Sequence, residues 1–227
     1  MVVKAEKISR TFLRNKAGTN FFYAVQNTDF QAETGEFIEI VGKSGSGKST
    51  FLNMLAGLLT PTEGKVYIGN TDLYLSEDGE RSQFRNENIG VIPQGQTGLL
   101  SLTVLENVLL PSKIYGKCDG EKIVRAEELL KAVGLYDLKD VYPNELSGGE
   151  MRRMAIARAL IMQPSVILAD EPTGDLDEEN TALVMSLLKN AAKGGATVIM
   201  VTHDKDALSY ADKVYSMSGG VLSEKTA

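Results

Sequence analysis

Residue types that bind phosphate are concentrated in one glycine-rich stretch, Gly42-Lys43-Ser44-Gly45-Ser46-Gly47-Lys48-Ser49-Thr50. Residues 37–41 before it predict a strand, and residues 50–56 after it have the apolar spacing of a helix. In such a unit, backbone N–H groups converge on phosphate oxygens and the helix N-terminus favours negative charge. Lys48 would reach the β- and γ-phosphates, and the Ser49 hydroxyl would bind Mg²⁺. An ordinary turn does not need Lys-Ser after its last glycine, so this P-loop pattern predicts a nucleoside triphosphate site.

Two acidic residues, Asp170 and Glu171, follow the continuously apolar segment 166–169, which is typical of a strand buried on both faces. Ligands of open parallel sheets bind at the carboxyl ends of the strands, so both carboxylates are expected near the phosphates. Because neighbouring side chains of an extended chain alternate in direction, Asp170 could face Mg²⁺ while Glu171 faces an attacking water. A pair of solvated acids at a strand end is the alternative interpretation.

The only histidine, His203, follows another apolar segment, 196–201. A lone histidine is more often structural than catalytic. Because this one lies at a predicted strand end in a chain with a P-loop, we favour a contact with the γ-phosphate, where an imidazole could stabilise developing negative charge.

A second glycine-rich turn, Leu146-Ser147-Gly148-Gly149-Glu150, opens a predicted helix. The same physics makes it a second candidate for anion binding. The alternative interpretation is a simple helix N-cap made by Ser147. Taken alone, Ser-Gly-Gly favours that simpler interpretation.

The segments between these motifs predict an α/β fold with a mainly parallel sheet, because strands buried on both faces alternate with helices. Short apolar segments at 2–8, 30–33 and 65–68 predict an antiparallel β patch near the N-terminus, with 2–8 as an edge strand. Helices are predicted at four places, the first of them stopped by Pro111: 104–110, 121–133, 151–162 and 178–193.

This pattern predicts one domain over residues 1–227. Its nucleotide-binding core would consist of 1–94 and 163–227, which contain the P-loop and the acidic strand end. A helical lobe, 95–162, would be inserted between strands of the core and would carry the second glycine-rich turn.

Composition narrows the classes of function. The chain has 227 residues, a formal net charge of −6, one cysteine and one histidine. A single cysteine excludes an internal disulfide, and with one histidine it excludes a Cys/His metal site. The acidic balance, with no run of Lys or Arg, argues against nucleic-acid binding. Charges begin too early for a signal peptide and no stretch approaches the ~18 apolar residues of a membrane span. We therefore expect a cytosolic chain without direct membrane insertion.

Taken in chain order, the motifs resemble those of the ATP-binding subunits of ABC transporters. The resemblance rests on the P-loop, Gln94, the turn at 146–150, the strand end at Asp170-Glu171, and His203. It covers nearly the whole chain and implies a P-loop NTPase fold with ATP and Mg²⁺ as cofactors. It also implies two copies that hold two ATPs head to tail, and an integral membrane permease that keeps them on the cytoplasmic face of the membrane.

The resemblance implies a role for each motif. Gln94 would contact Mg²⁺ and link the nucleotide state to the partner, and Asp170 would support Mg²⁺ together with Ser49. Glu171 would polarise the attacking water, with Lys48 and His203 at the γ-phosphate. The turn at 146–150 would bind the γ-phosphate of ATP held on the second copy. Gly174-Asp175-Leu176-Asp177 would cross the dimer interface.

Finer features resemble one subgroup, the ATPases of lipoprotein release, of macrolide and peptide-antibiotic efflux or resistance, and of cell-division complexes. These features are the segment 171–177, Glu106-Asn107-Val108 with Pro111 behind it, and Glu150-Met151-Arg152-Arg153. Membrane partners in that subgroup have few spans and large external domains. The resemblance therefore implies export or mechanical work driven by ATP.

Two positions depart from the family pattern. Pro93 precedes Gln94 where an aromatic residue is usual, so the path of that loop can differ. The aromatic residue that stacks on adenine is usually Tyr, and the best match here is Phe12, with Phe22 and Tyr23 as alternatives. Stacking would contribute on the order of 1–3 kcal/mol.

Two further functions remain open at this stage, an ATP-dependent clamp acting on DNA or the ribosome and a sensor subunit that signals through its partner. A single set of motifs, no heptad run and the acidic balance disfavour the clamp. The permease would dock near residues 96–102, although Leu99 and Leu100 could equally be plain core.

Overall fold

The computed structural model describes residues 1–13, 21–95, 97–174, 176–203 and 209–225. The strands are β1 Val3–Leu13, β2 Phe21–Ala32, β3 Phe37–Val41, β4 Glu63–Ile68, β5 Thr71–Asp72, β6 Ile89–Ile92, β7 Val166–Asp170, β8 Thr197–Thr202, β9 Lys213–Ser218 and β10 Val221–Glu224. The helices are α1 Lys48–Leu55, α2 Asp78–Asn88, α3 Val104–Ile114, α4 Gly120–Ala132, α5 Gly148–Leu160 and α6 Glu178–Lys193. None of these helices is long and apolar enough to cross a membrane.

A six-stranded sheet forms the centre of the molecule, in the order β10-β9-β3-β8-β7-β6. All its neighbours pair in parallel except β10, which runs antiparallel to β9 and forms a closing hairpin with it. A second sheet, in the order β2-β1-β4-β5, is antiparallel. The expected α/β class, with a mainly parallel sheet and an antiparallel β patch, is confirmed.

The central strands bury both faces, as their continuous apolar sequences predict. Along β7, Ile167 and Ala169 pack in one core cluster with α3, α4, α5 and α6. Val166 and Leu168 alternate with them and pack in a second cluster with α1 and the antiparallel sheet. The six-stranded sheet therefore lies between a helical layer and a mixed layer, which fixes where its strand ends can lead.

The carboxyl ends of four parallel strands lie side by side. Val41 of β3 pairs with Thr202 of β8, and Asp170 of β7 pairs with Val201 in the same strand. On the far side of β7, Ile92 at the end of β6 pairs with Ala169. These strand ends lead directly into the P-loop, the acidic pair, His203 and Gln94. The sheet register therefore brings the predicted site together at one edge.

The N-terminal strands differ from the prediction. β1 pairs with β2 on one side and β4 on the other, so it is an interior strand rather than an edge strand. Its pairing register shifts near Lys7, which has a φ of 49°, and this irregularity interrupts the apolar alternation that marks a strand. The segment predicted at 30–33 is only the end of the twelve-residue β2.

Pro111 does not end its helix, contrary to the prediction, because α3 continues to Ile114. Proline removes one backbone donor, yet the turn around it has other partners. The Ser112 hydroxyl donates to the carbonyl of Leu109 at 2.6 Å, and the Asn86 amide donates to the carbonyl of Pro111 at 3.0 Å. The α2 helix that supplies Asn86 is buried at none of its positions and has no apolar stripe, so the sequence did not reveal it.

The segment expected to form a helical lobe, 95–162, contains α3, α4 and α5, and no strand occurs among its described residues. The division into a core and a lobe stays a prediction. Helix α5 packs against β6 where Gly90 lies, because a Cβ on Gly90 would stand 2.6 Å from the carbonyl oxygen of Ala159. That close approach places α5 beside the segment that leads to Gln94.

We predict that Gly90→Ala lowers the free energy of unfolding by about 1–3 kcal/mol, because the added methyl group overpacks the contact between β6 and α5. Gly79→Ala is the matched control, since nothing lies within 4 Å of a Cβ there and its backbone is helical. It should leave stability unchanged or raise it by up to about 1 kcal/mol. Urea unfolding of the nucleotide-free chain measures both, and equal stabilities of the two variants would contradict the packing argument.

Candidate functional site

The P-loop, residues 42–50, curves around the ammonium group of its own lysine. Lys48 is only 7% exposed, and its Nζ donates to the carbonyls of Gly42 at 2.7 Å and Lys43 at 3.2 Å. Gly45 and Gly47 have φ values of 76° and 107°, which glycine adopts without strain. The loop therefore has the concave shape that cradles phosphate before any ligand is present.

Two other strands support this loop from behind. A Cβ on Gly42 would stand 2.3 Å from the carbonyl oxygen of Met217, and one on Gly47 would stand 2.1 Å from that of Ala24. The backbone N–H of Gly220 also donates to the carbonyl of Ser46 at 3.0 Å. Sequence reasoning missed these supports because backbone carbonyls carry no residue-type signal; the close-packed glycines are their only trace.

A cavity of about 220 Å³ opens above the P-loop. It is lined by parts of the loop together with side chains from β2 and from two strand ends: Phe22, Ala24, Ser44, Gly45, Ser46, Gly47, Lys48, Ser49, Thr50, Gln94 and Glu171. Gly42 and Lys43 lie beneath the cavity as the acceptors of Lys48. Phe22, an alternative candidate for adenine stacking, thus lines the cavity, whereas the favoured candidate Phe12 is not among its lining residues.

The favoured candidate for adenine stacking, Phe12, has other surroundings. Its ring lies 4.8 Å from the guanidinium carbon of Arg10, a cation–π distance, and it pairs across the sheet with Phe22. Tyr23 lies on the same strand as Phe22 and is 58% exposed. Of these candidates only Phe22 lines the P-loop cavity, and the assignment of the adenine-stacking residue stays a prediction.

Asp170 is directed at the P-loop helix. The Ser49 hydroxyl donates a hydrogen bond to its carboxylate. Burial raises the pKa of Asp170 above its ordinary value, and the adjacent charge of Glu171 acts in the same direction. The Ser49 hydrogen bond and the charges of Lys48 and Arg152 partly oppose this shift. A cation at this carboxylate would relieve the cost of its desolvation.

Glu171 links the two neighbouring strand ends. Its Oε2 accepts from the Gln94 Nε2 at 3.3 Å, and its Oε1 lies 3.1 Å from the His203 Nδ1. The backbone N–H of Glu171 donates to the carbonyl of Val201 at 2.9 Å, which fixes the residue to β8. Gln94, Glu171 and His203 therefore form one contact chain along the sheet edge.

The two acids do face different partners, but not for the reason that the sequence suggested. Glu171 has a φ of 50°, in the left-handed region, so it does not continue the alternation of the extended strand. A non-glycine residue in that region costs on the order of 1–2 kcal/mol. Such strain persists where the surroundings over-determine it, as at functional sites.

The second glycine-rich turn, residues 146–150, forms a complete helix N-cap. The Glu150 backbone N–H donates to Ser147 Oγ at 3.3 Å, and the Ser147 backbone N–H and hydroxyl both donate to Glu150 Oε2 at 2.7 Å. These hydrogen bonds from Ser147 hold the pKa of Glu150 below its ordinary value. The capping interpretation is confirmed, and it does not exclude anion binding by Gly148 and Gly149, whose N–H groups open the helix.

The N-terminus of α5 contributes no residue to the lining of the P-loop cavity of its own chain. Leu176 packs against one side of it, since a Cβ on Gly149 would stand 3.2 Å from Leu176 Cδ2, while Ser147 and Gly148 are exposed. Asp175, expected in the loop that crosses the dimer interface, lies outside the described residues, as does Gln96. Among the described residues, the P-loop, Gln94, Asp170, Glu171 and His203 lie together at the sheet edge, whereas the second turn does not line the cavity.

Comparisons with known proteins show the family to which the chain belongs. A family model for ABC transporters matches residues 25–174. The chain is 41% identical to an uncharacterized ABC transporter ATP-binding protein of Methanocaldococcus jannaschii over 98% of both chains. It is 38% identical to the lipoprotein-releasing system ATP-binding protein LolD of Xanthomonas campestris, over 98% of this chain and 92% of LolD.

Solved structures give the same result. The fold matches the dimeric post-hydrolysis state of an ATP-binding cassette bound to ADP and Pi, with a TM-score of 0.90, 36% identity and 99% of both chains covered. Fold and site thus define a P-loop ATPase of the cassette type. The chain belongs to the ABC transporter family, as an ATP-binding subunit.

We predict that Ser147→Ala lowers stability by about 0.5–2 kcal/mol through loss of the cap. Our prediction that this turn binds ATP phosphate further implies that Ser147→Ala lowers ATP hydrolysis by about tenfold or more, because the helix end would be misplaced. Asp119→Ala is the matched control: Asp119 caps α4 by accepting from the Lys122 N–H at 2.9 Å, away from the cavity. It should cost similar stability and leave ATPase activity unchanged. If Ser147→Ala and Asp119→Ala lower ATPase activity per folded molecule equally, Ser147 acts only as a helix cap.

Proposed function

We propose that this subunit hydrolyses ATP between two copies of itself and thereby drives work through a membrane permease. The observation that carries the proposal is the position of Glu171 beside the P-loop cavity, in contact with both Gln94 and His203. An acid in that place can polarise a water for attack on the γ-phosphate. ATP binding would rely on residues 42–50, with Lys48 leaving its two carbonyl acceptors for phosphate oxygens.

The donors at the cavity fit Mg²⁺, which prefers oxygen ligands. Ser49 and Asp170 are already hydrogen-bonded to each other, and the desolvated carboxylate would gain from a cation. Gln94 lines the same cavity and uses its amide nitrogen toward Glu171, so its oxygen would serve as a third ligand. The metal would neutralise charge on the β- and γ-phosphates.

The catalytic roles follow from this contact chain. Glu171 Oε1, 3.1 Å from His203 Nδ1, would accept a proton from the attacking water. His203, whose side chain is 69% exposed, would turn toward the γ-phosphate. Lys48 would stabilise charge that develops during phosphoryl transfer, because its ammonium lies within the P-loop and is only 7% exposed to water.

The second copy would complete the site. The N-terminus of α5, with Ser147, Gly148, Gly149 and Glu150, is absent from the cavity lining of its own chain, which supports a head-to-tail arrangement in which it meets the partner's ATP. Asp175 and its neighbours in 174–177 would cross the interface. Cassettes that are 36% and 37% identical to this chain have been solved as dimers, which supports the same assembly.

The permease would dock near residues 96–102, of which Gln96 lies outside the described residues. Leu99 and Leu100 are 47% and 63% exposed, so they are not the plain core that was the alternative. The buried Asn107 holds the segment rigid: its amide donates to the carbonyls of Leu99 and Leu102 at 3.0 Å and accepts from the Leu99 N–H at 2.8 Å. A rigid pair of exposed leucines suits an amphipathic cytoplasmic helix of a membrane protein.

The kind of work is inferred from relatives. Similarity to LolD at 38% identity supports a permease with few spans and a large external domain, in lipoprotein release or in efflux of macrolides or antimicrobial peptides. Such a permease would hold the subunit at the cytoplasmic face of the membrane. A clamp or a sensor subunit remains the second candidate. ATPase activity that rises when the permease is added would favour transport, whereas unchanged activity would favour the sensor.

We predict that Glu171→Gln lowers ATP turnover by about 10²–10⁴, the usual effect of removing a general base. ATP binding and ATP-dependent dimerisation should persist, because glutamine keeps the contact geometry. Glu179→Gln, an exposed acid at the start of α6, is the control and should keep parental turnover. Steady-state phosphate release and analytical ultracentrifugation measure these quantities. Parental turnover in Glu171→Gln would exclude its role as the base.

We predict that Leu100→Asp abolishes co-purification with the permease, because a charge replaces the apolar contact. Hydrolysis by the isolated subunit should stay unchanged, since Leu100 is not among the cavity-lining residues. Leu58→Asp is the control, a leucine that is 55% exposed beyond the far end of α1. Permease binding that survives Leu100→Asp would place the docking surface elsewhere.

A further inference from the structure

The turn between β9 and β10, Gly219-Gly220, lies against the back of the P-loop. Gly220 is buried, and its backbone N–H donates to the carbonyl of Ser46 at 3.0 Å. Ser46 is itself only 7% exposed, so this hydrogen bond lies away from water. A Cβ on Gly220 would stand 3.0 Å from the carbonyl oxygen of Ala24, so the glycine lets the turn lie this deep. The turn is therefore packed between the P-loop and β2.

The hydrogen bond to Ser46 also sets the direction of the next donor in the P-loop. A trans peptide unit is planar, and its C=O and N–H groups point in opposite directions. The Ser46 carbonyl and the Gly47 N–H belong to one such unit. Because the carbonyl points back at Gly220, the Gly47 N–H points forward, and Gly47 lines the P-loop cavity. Backbone N–H groups in this position are the donors with which a P-loop holds phosphate oxygens.

The same geometry extends one peptide unit further from the cavity. The Gly219 carbonyl and the Gly220 N–H share a peptide unit, so this carbonyl points away from the P-loop. It accepts a hydrogen bond from the Gln26 side-chain Nε2 at 2.8 Å. The backbone N–H of Gln26 also donates to the carbonyl of Gly220 at 2.8 Å. Gln26 of β2 therefore holds the turn by two hydrogen bonds, one to each of its carbonyls.

These groups form a relay that consists of the Gln26 side-chain amide, the Gly219–Gly220 peptide and the Ser46–Gly47 peptide. Each member donates to the carbonyl of the next, so the two peptide dipoles are aligned toward the cavity. Aligned hydrogen bonds polarise one another, and each is stronger where water is excluded. Gly220 and Ser46 are buried whereas Gln26 and Gly219 are exposed, so the relay runs from the surface to the P-loop.

We propose that Gln26 is a positioning residue for phosphate binding and that it acts through this relay. Gln26 is not among the residues that line the P-loop cavity. The relay fixes the direction of the Gly47 N–H and makes it a stronger donor to a phosphate oxygen. This inference rests on the proposed function, because it requires that residues 42–50 hold the phosphates of ATP.

The test begins with Gln26→Met in the full-length chain, which removes the side-chain donor and keeps the length of the side chain. The affinity for MgATP should fall about three- to fivefold, the effect of losing one hydrogen bond. The affinity for inorganic tripolyphosphate should fall by the same factor, because the relay acts on phosphate rather than on the base. Displacement of a fluorescent ATP analogue measures both affinities. A loss for ATP alone would place the effect at the base and would overturn the relay.

Hydrolysis and the Gly47 amide give two further measurements on Gln26→Met. KM for ATP should rise by the same factor while kcat stays within about twofold, because this donor serves substrate and transition state alike. In NMR spectra of the nucleotide-bound chain, the Gly47 amide proton should move upfield, since its N–H is less polarised. The Gly45 amide lies outside the relay and is the internal reference. A Gly47 resonance that stays in place would contradict the relay.

Gln31→Met is the matched control. Gln31 is a second exposed glutamine of β2, and its Nε2 donates to the Glu33 carboxylate instead of the turn. Gln31→Met should leave both affinities unchanged, and equal losses in the two variants would show a general effect on β2 and overturn the relay. Gln26→Lys restores a side-chain donor and should return both affinities to within about twofold of the parent.

Lys48→Met separates the relay from the proposed function. It should weaken binding of ATP and tripolyphosphate more than Gln26→Met does, because charge-assisted hydrogen bonds are stronger than neutral ones. Parental affinities in Lys48→Met would overturn phosphate binding at the P-loop, and the relay with it. If Lys48→Met weakens binding while Gln26→Met keeps the parental affinities, the relay alone is wrong.

Discussion

The in-register parallel pairing of β3, β7 and β8 is the constraint on which the site depends. Each strand is short and buried on both faces, so the hydrophobic core fixes its register. The register in turn fixes where each strand ends relative to its neighbours. A slip of one residue would turn Asp170 away from Ser49 and bury the wrong side chains. Chemistry at the edge of the sheet is thus held in place by apolar packing well below it.

Close backbone contacts then shape what the sheet has brought together. The P-loop packs on the backbone of Met217 and Ala24 through glycines that leave no room for a Cβ. Cationic side chains add hydrogen bonds, from the buried Lys48 to carbonyls of the P-loop and from the part-buried Arg158 to Thr97. These contacts position donors and acceptors in advance, so little ordering remains when a ligand arrives.

The sequence was sufficient for the features that depend on pattern and insufficient for those that depend on distant contacts. Continuous apolar segments predicted β3, β7 and β8, and α6 begins and ends where its periodicity indicates. The interior position of β1 was missed because the bulge near Lys7 hides its alternation. The different directions of Asp170 and Glu171 were expected, but the left-handed backbone that produces them leaves no trace in residue type. Phe22 could not be separated from Phe12, because only the sheet places one of them at the cavity.

The last hairpin, β9-β10, supports a P-loop that is synthesised long before it. Residues 42–50 are synthesised early, but their fixed shape needs Met217 and Gly220, and both sheet neighbours of β3 come from the last third of the chain. An emerging chain therefore lacks a shaped nucleotide site until almost all of it has left the ribosome. The topology therefore delays the final packing of the P-loop until the last hairpin is available.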